Sequence, residues 1–324
     1  HTDEGNDGTV IEYYEPQTQR WLPLGRVARG VDWYDNAVIA GRPGAQTLAP
    51  VGWSGENAQW RNARYALDSL HHIQPLRLRV AFGAVGVHGR ALEGFAFDHV
   101  RIGERRRQVL LEHFAHAQYP NMNAINQHVY RLALQAPLQG DIVPLQYHIH
   151  YGTGDEHNQF EPSAPAARAL LYGVSVPARA VIAGQIDNGD LPSEQLQPAN
   201  FERTMLADPV FALRIDSFAV VGSSAQVHTS LSALANLPSD EYVLHTAIVE
   251  DSAVYSDGSA AVYALVRQLL PNASGRALLR SWQTGDGLQF AETWTFEPDR
   301  HRTHQLQAVV FLQNQRTAEV YQVA

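Results

Sequence analysis

The stretch LLEHFAHAQYPNMNAINQHVY, Leu110 to Tyr130, decides how the chain is read. It opens on an apolar run of strand character, followed by a short polar turn containing Pro120. Met122, Ile125, Val129 and Leu132 then fall at i, i+3, i+7 and i+10, the apolar stripe of a helix. Strand, turn and helix in that order begin an α/β unit. DIVPLQYHIHY supplies the next strand, and Ser163 is placed to cap APAARALLY, with Gly173 as its stop. RAVIAG is a third strand preceded by Val176-Pro177, and Asn200 is placed to cap FERTML. This alternation covers residues 107–208.

On either side the signals are strand and turn. In residues 1–104, TVIEYY, LRLRVAF and GFAFDHVRI alternate with period 2 between Gly and Pro breaks, which predicts a β-sandwich. Leu76, Leu78, Val80 and Phe82 are expected to face a core, with Arg77 and Arg79 on the opposite face. In residues 209–324, FALRIDSFAV, AQVHTSLSAL, EYVLHTAIVED, LQFAETWTF and LQAVVFLQN predict a second antiparallel sandwich. AVYALVRQLLP interrupts it and reads equally as a helix or a buried strand.

Composition narrows the function classes. The 324 residues carry a net charge of -9, which opposes a nucleic-acid footprint. All basic residues are arginine, and their one run, Glu104 to Arg107, reads as a solvated linker. No apolar stretch approaches the ~18 residues of a membrane span. The absence of cysteine excludes disulfides, thiolate metal sites and thiol catalysis. The opening HTDEGNDGTV is polar, so any secretion signal lies outside this numbering.

The layout LLEHFAHAQYPNMNA, the loop YGVSVPARAVI and the later segments AIVEDSAVY, LVRQLLPNASG and LQAVVFLQNQRTAEVYQVA resemble a bacterial family of 28-kDa outer-membrane proteins over about residues 107–324. That family joins a thioredoxin-like domain to a C-terminal Ig-like β-sandwich. The resemblance puts Tyr119 and Met122 at the two cysteine positions, Pro177 at the cis-proline and Glu112 at the buried acid beneath the motif. Neither Tyr119 nor Met122 can form a mixed disulfide, so the family's redox chemistry is not implied. DGTVIEYYEPQTQRWLPLG and GFAFDHVRIG resemble the late strands of jelly-roll modules of the MAM type, whose first strands are missing here. Such a sandwich leaves an edge unpaired, a template for strand addition. The expected fold class is therefore α+β multidomain: a jelly-roll-like domain, a thioredoxin-like domain without its cysteines, and an Ig-like sandwich.

Three groups have ligand chemistry. His148 and His150 lie two apart on an expected strand and so share a face, and His157 can swing in from the next loop to complete a three-histidine zinc-type set; the alternative is hydrogen-bonded histidines in a central sheet. Asp3 and Asp7 with Asp98 offer hard oxygen ligands, making calcium the one cofactor this pattern allows, against a frayed polar terminus. Met122 with His113 and His116 suits copper, against Met122 simply opening the helix stripe. Asp155-Glu156 is assigned no acid/base role, and Ser54 in GWSGENA lacks the context of a hydrolase elbow.

The leading expectation is a non-enzymatic protein, extracellular or on the surface of a bacterium, that acts in structure or adhesion. Its partner is another copy of itself, assembled by strand addition into a filament or surface layer, or another surface protein. Two readings stay open beside it: a metal carrier or metal-dependent enzyme built on the histidines, and a carbohydrate- or protein-binding module using Trp21, Trp33, Trp53 and Trp60.

Overall fold

In the computed structural model, residues 2–86, 92–104, 107–134, 138–152, 154–185, 191–255 and 261–324 are described. The chain divides into two units, His1–Glu104 and Arg105–Ala324.

The described strands of the first unit form one antiparallel sheet, in the order β2 (Arg20–Pro23), β1 (Gly8–Glu15), β3 (Leu78–Gly83). β2 ends early on β1, and side chains and loops take over its edge. The Tyr34 hydroxyl donates to Ile11 O at 2.8 Å and accepts from Ile11 N at 3.0 Å, and Trp53 exchanges both backbone bonds with Thr9. A small core of Leu24, Leu70 and Ile73 covers one end of the sheet face, joined by Tyr13, Trp33, Tyr65, Leu76 and Leu78. Val80 and Phe82, expected on that core, are instead 40% and 51% exposed. That core reaches Leu76 and Leu78 but does not include Val80 or Phe82. GFAFDHVRIG, expected to be a strand, does not form one, and His99 interrupts it with a φ of 51°. Of the tryptophans, Trp33 and Trp53 join an aromatic cluster with Tyr34 and Tyr65, Trp21 lies under Arg79, and Trp60 is exposed.

The second unit is built on a nine-stranded mixed sheet. Its strands are β4 (Val109–Ala115), β5 (Ile142–His148), β6 (Arg179–Ile182), β7 (Leu191–Pro192), β10 (Leu237–Val254), β11 (Ala261–Leu270), β12 (Arg276–Trp282), β14 (Leu306–Asn314) and β15 (Val320–Val323). The order is β15-β14-β10-β11-β5-β4-β6-β7, with β12 also on β10. A second sheet, β13 (Gly287–Thr295), β9 (Ser224–Ala233) and β8 (Phe211–Val221), completes the C-terminal sandwich. Phe211, Trp282, Tyr242 and Val310 are buried in its core. The helices are α1 (Met122–Leu134), α2 (Glu156–Phe160), α3 (Ser163–Tyr172) and α4 (Ala199–Met205).

The ambiguous segment AVYALVRQLLP is strand β11, and it joins the two halves: it pairs antiparallel with β10 and parallel with β5. The sheet therefore runs through the division expected at residue 208. At its start, Arg107 is not a solvated linker residue; it is buried, donating to Glu319 Oε1 at 3.0 Å and Val320 O at 2.8 Å. Arg105 and Arg106 lie outside the described residues. The stop of α3 is Gly173, as expected, but Glu161 rather than Ser163 caps its start, accepting from the backbone N–H groups of Ser163 and Ala164.

β4 is buried along its whole length, so the carboxylate of Glu112 has no access to water and requires a cation. Arg168 of α3 supplies it through two bonds, Nε to Oε1 at 2.7 Å and Nη2 to Oε2 at 2.8 Å. Tyr172 donates to Glu112 Oε2 at 2.5 Å, and Arg168 Nη1 donates to Gln313 Oε1 of β14 at 2.6 Å. Burial works against the charge on Arg168, but the adjacent carboxylate outweighs it and raises the pKa above its ordinary value. The network thus ties β4 and α3 to a strand of the sandwich.

Arg168→Met strands a buried carboxylate, and urea unfolding is expected to show a loss of about 3–5 kcal/mol. The double change Glu112→Leu with Arg168→Met removes both charges and is expected to recover most of that loss. A loss below about 1 kcal/mol for the single variant contradicts this role.

Candidate functional site

The turn after β4 is where the resemblance places redox chemistry. Tyr119 N donates to His116 O at 3.1 Å and Met122 N donates to Tyr119 O at 3.2 Å, so a tight turn delivers the chain into α1. Met122 is 3% exposed and belongs to the core. Tyr119 is half-buried, edge-on to Tyr151 with ring centroids 6.2 Å apart. Of the two positions the resemblance matches to cysteines, one is core and the other is an aromatic contact.

Pro177 is buried beside this turn, but the Val176–Pro177 bond is not cis; the cis bonds among the described residues are Gln74–Pro75 and Leu270–Pro271. The chain reverses into β6 by another means. Ala178 takes a left-handed φ of 59°, donates its N–H to Phe114 O at 2.8 Å and accepts from Ser193 N at 2.9 Å. Glu112, the buried acid beneath the motif, is already committed to Arg168 and Tyr172.

The histidines near the turn are committed as well. His113 has Asn126 Oδ1 at 2.9 Å from Nε2 and Ser193 Oγ at 2.9 Å from Nδ1, and burial lowers its pKa to about 4. His116 is buried, with Nδ1 accepting from Gln118 N at 3.1 Å. Met122, His113 and His116 are all buried, and both ring nitrogens of His113 already have partners.

At the end of β5, His148 is buried between partners. Its Nδ1 lies 2.9 Å from Asp155 Oδ2 and 3.1 Å from the Tyr255 hydroxyl, and Gln146 Nε2 lies 3.0 Å from its Nε2. His157 swings in as expected; its ring is 5.0 Å from that of His148 and 4.7 Å from that of Tyr255. Burial, then the nearby His148 and Arg267, lowers the His157 pKa to about 3. His150 does not join them. The strand stops at His148, so the alternation that put both histidines on one face no longer applies, and His150 is exposed. The three-histidine set is not brought together.

Asp155, passed over in the sequence, organises this cluster. It accepts from His157 N at 2.9 Å, Asn158 N at 3.2 Å and Ala117 N at 2.7 Å, capping α2 and fastening it to the turn after β4. Burial opposes its charge, but the bond from His148 and these backbone donors outweigh it and hold the carboxyl below the usual range. An aspartate just before Glu156-His157-Asn158 was the available signal.

The acidic group of the first unit is dispersed in bonding. Asp3 accepts from Asn6 Nδ2 at 3.0 Å, Asp7 from Val85 N at 3.0 Å, and Asp98 bonds its neighbour His99. Among the described residues, no group of three or more His, Cys, Asp or Glu side chains is arranged to hold a metal ion, calcium included. No described helix is long and apolar enough to cross a membrane.

No protein-family model and no curated protein matches the sequence. Among solved structures, the fold is similar to HBP35 of Porphyromonas gingivalis, with a TM-score of 0.54 and 10% identity over 69% of this chain and 76% of that one. A domain of the outer membrane lipoprotein Omp28 from the same organism gives 0.27 at 14% identity, over 36% of this chain and 85% of that one. CsgH of R. palustris gives 0.17 at 8% identity, over 32% and 79%. The last two are too distant in shape to carry an argument. The first is a likeness of fold, and it agrees with what the strands and helices show directly: the chain is an α+β multidomain protein.

Proposed function

We propose that the chain is a non-enzymatic structural protein of the bacterial cell surface or exterior, and that it works by associating with further copies of itself. The observation that carries this reading is the state of the thioredoxin-like half. Its two former sulfur positions are a core methionine and a ring contact, and its buried acid is neutralised by Arg168. A fold kept without its reactive groups is kept for its shape and surfaces. The open strand edge in the first unit gives those surfaces a means of association.

A metal-dependent activity at the end of β5 is less well supported, because both ring nitrogens of His148 have partners and His150 lies apart. On the structural reading, His157 is neutral scaffold. Its pKa of about 3 in the fold is below the ~6.5 of an unfolded histidine. The unfolded state therefore binds the extra proton between these values, so stability is full above about pH 6.5 and falls as pH drops toward 3.

Sedimentation velocity on the full chain is expected to show oligomers growing with concentration; a monomer at every concentration reached rules the reading out. Urea midpoints measured from pH 7 to pH 4.5 are expected to decline, and His157→Phe to remove about one proton from that slope. An unchanged slope in the variant contradicts the buried neutral assignment.

A further inference from the structure

The first unit holds two incomplete features. β3 is an edge strand: β1 pairs with one side of it, and no described residue pairs with the other. Tyr14 N donates to Arg77 O, which sets the alternation so that Arg79, Ala81 and Gly83 bond toward β1. The backbone N–H and C=O groups of Leu78, Val80 and Phe82 therefore point to the open side. Val80 and Phe82 also present exposed side chains there. The second feature is the run Phe95 to Ile102, which has strand patterning but no strand partner among the described residues. Phe97 is 58% exposed, Val100 75% and Ile102 63%.

We propose that the Phe95–His99 run of one copy adds as a strand to the open edge of β3 in a second copy. This rests on the self-association proposed above and names the surfaces that perform it. An antiparallel register with Val80 opposite Phe97 gives complementary pairs at four of the five positions, the fifth setting Leu78 against His99. It sets Phe82 against Phe95 on the apolar face and Ala81 against Ala96 on the other, and it brings Arg79 opposite Asp98, a pair of opposite charge. The side chain of Arg79 is 41% exposed despite its bond to Glu12 and its position over Trp21, and that of Asp98 is 68% exposed, so both can meet a partner. Phe95 and Phe97 would then pack beside Phe82 and Val80, which the Leu24, Leu70 and Ile73 core does not include.

The occupant is a second copy, since within its own copy the run lies against Trp53 rather than along β3, and Phe95 leaves that ring when the run joins another copy. Phe95 stacks on Trp53, ring centroids 5.8 Å apart at 17°, and Trp53 is bonded to Thr9 on the side of β1 away from β3. Joining the edge of another copy also straightens His99 out of its left-handed φ of 51°, a conformation that non-glycine residues adopt at a cost. Donor and acceptor are different patches of the same unit, so the contact is heterologous and extends from copy to copy wherever two copies do not exchange runs reciprocally or close a ring.

The absence of native cysteine makes the test specific. Ala81→Cys and Ala96→Cys, prepared separately and mixed under mild oxidation, are expected to form disulfide dimers at least tenfold faster than either alone, since residues opposite each other in a ladder lie within disulfide reach. The double variant should give a covalent ladder of oligomers. As an independent variant, Val80→Pro removes an N–H that points only to the open edge, leaving the β1 ladder intact, and should weaken association at least tenfold. Oligomers that form without the mixed cross-link and are indifferent to Val80→Pro overturn this assignment while leaving self-association standing. A double variant that closes only within one chain overturns it as well. A chain that never oligomerises removes both.

Discussion

A carboxylate sealed inside a fully buried strand must be matched by a cation, and in this chain the match between Glu112 and Arg168 sets much else in place. Arg168 reaches Glu112 only because α3 lies across β4, and it reaches Gln313 only because β14 lies within the same unit. The guanidinium also faces the rings of Tyr172 and Phe311, at 5.0 Å and 5.1 Å, so its apolar plane is covered as well as its donors. A second buried pair, Glu250 with Arg267, repeats the arrangement between β10 and β11 at 2.6 Å. Pairs of this kind gain little net free energy over apolar packing, but losing one partner is costly. Their effect is to couple segments far apart in sequence.

That coupling bears on function. Glu112 is held by an arginine and by a tyrosine that burial also keeps from ionising. The cluster at the end of β5 follows the same logic. Asp155 takes three backbone N–H groups and a histidine, which leaves it as a fastener between α2 and the turn after β4 rather than a base. Polar groups that elsewhere would do chemistry are used here to fix loops.

What could be read from the sequence was whatever local periodicity determines. The stripe from Met122 to Val129 gave α1, the apolar run from Val109 gave β4, and Gly173 marked the end of α3. The failures share a cause: they depend on where a neighbouring element lies. His150 was paired with His148 by strand alternation, and the strand stops two residues short of it. Pro177 was assigned by resemblance, and the reversal falls on Ala178. The pairing of β11 with β5 spans more than a hundred residues of chain, and no local pattern near residue 208 signals it. Val80 and Phe82 had the right alternation for a core that covers only the other end of their sheet.

The claim underneath all of this is that residues 105–324 behave as one cooperative body, with the thioredoxin-like half held to the sandwich by the buried pairs and the shared sheet. Native-state hydrogen exchange at increasing denaturant tests it directly. Amides of β4 and β5 should merge with those of β10 and β14 into a single opening of the same free energy and denaturant slope. If β4 and β5 open together at a distinctly lower free energy while β10 and β14 stay protected, the two halves are separate bodies and the account is contradicted.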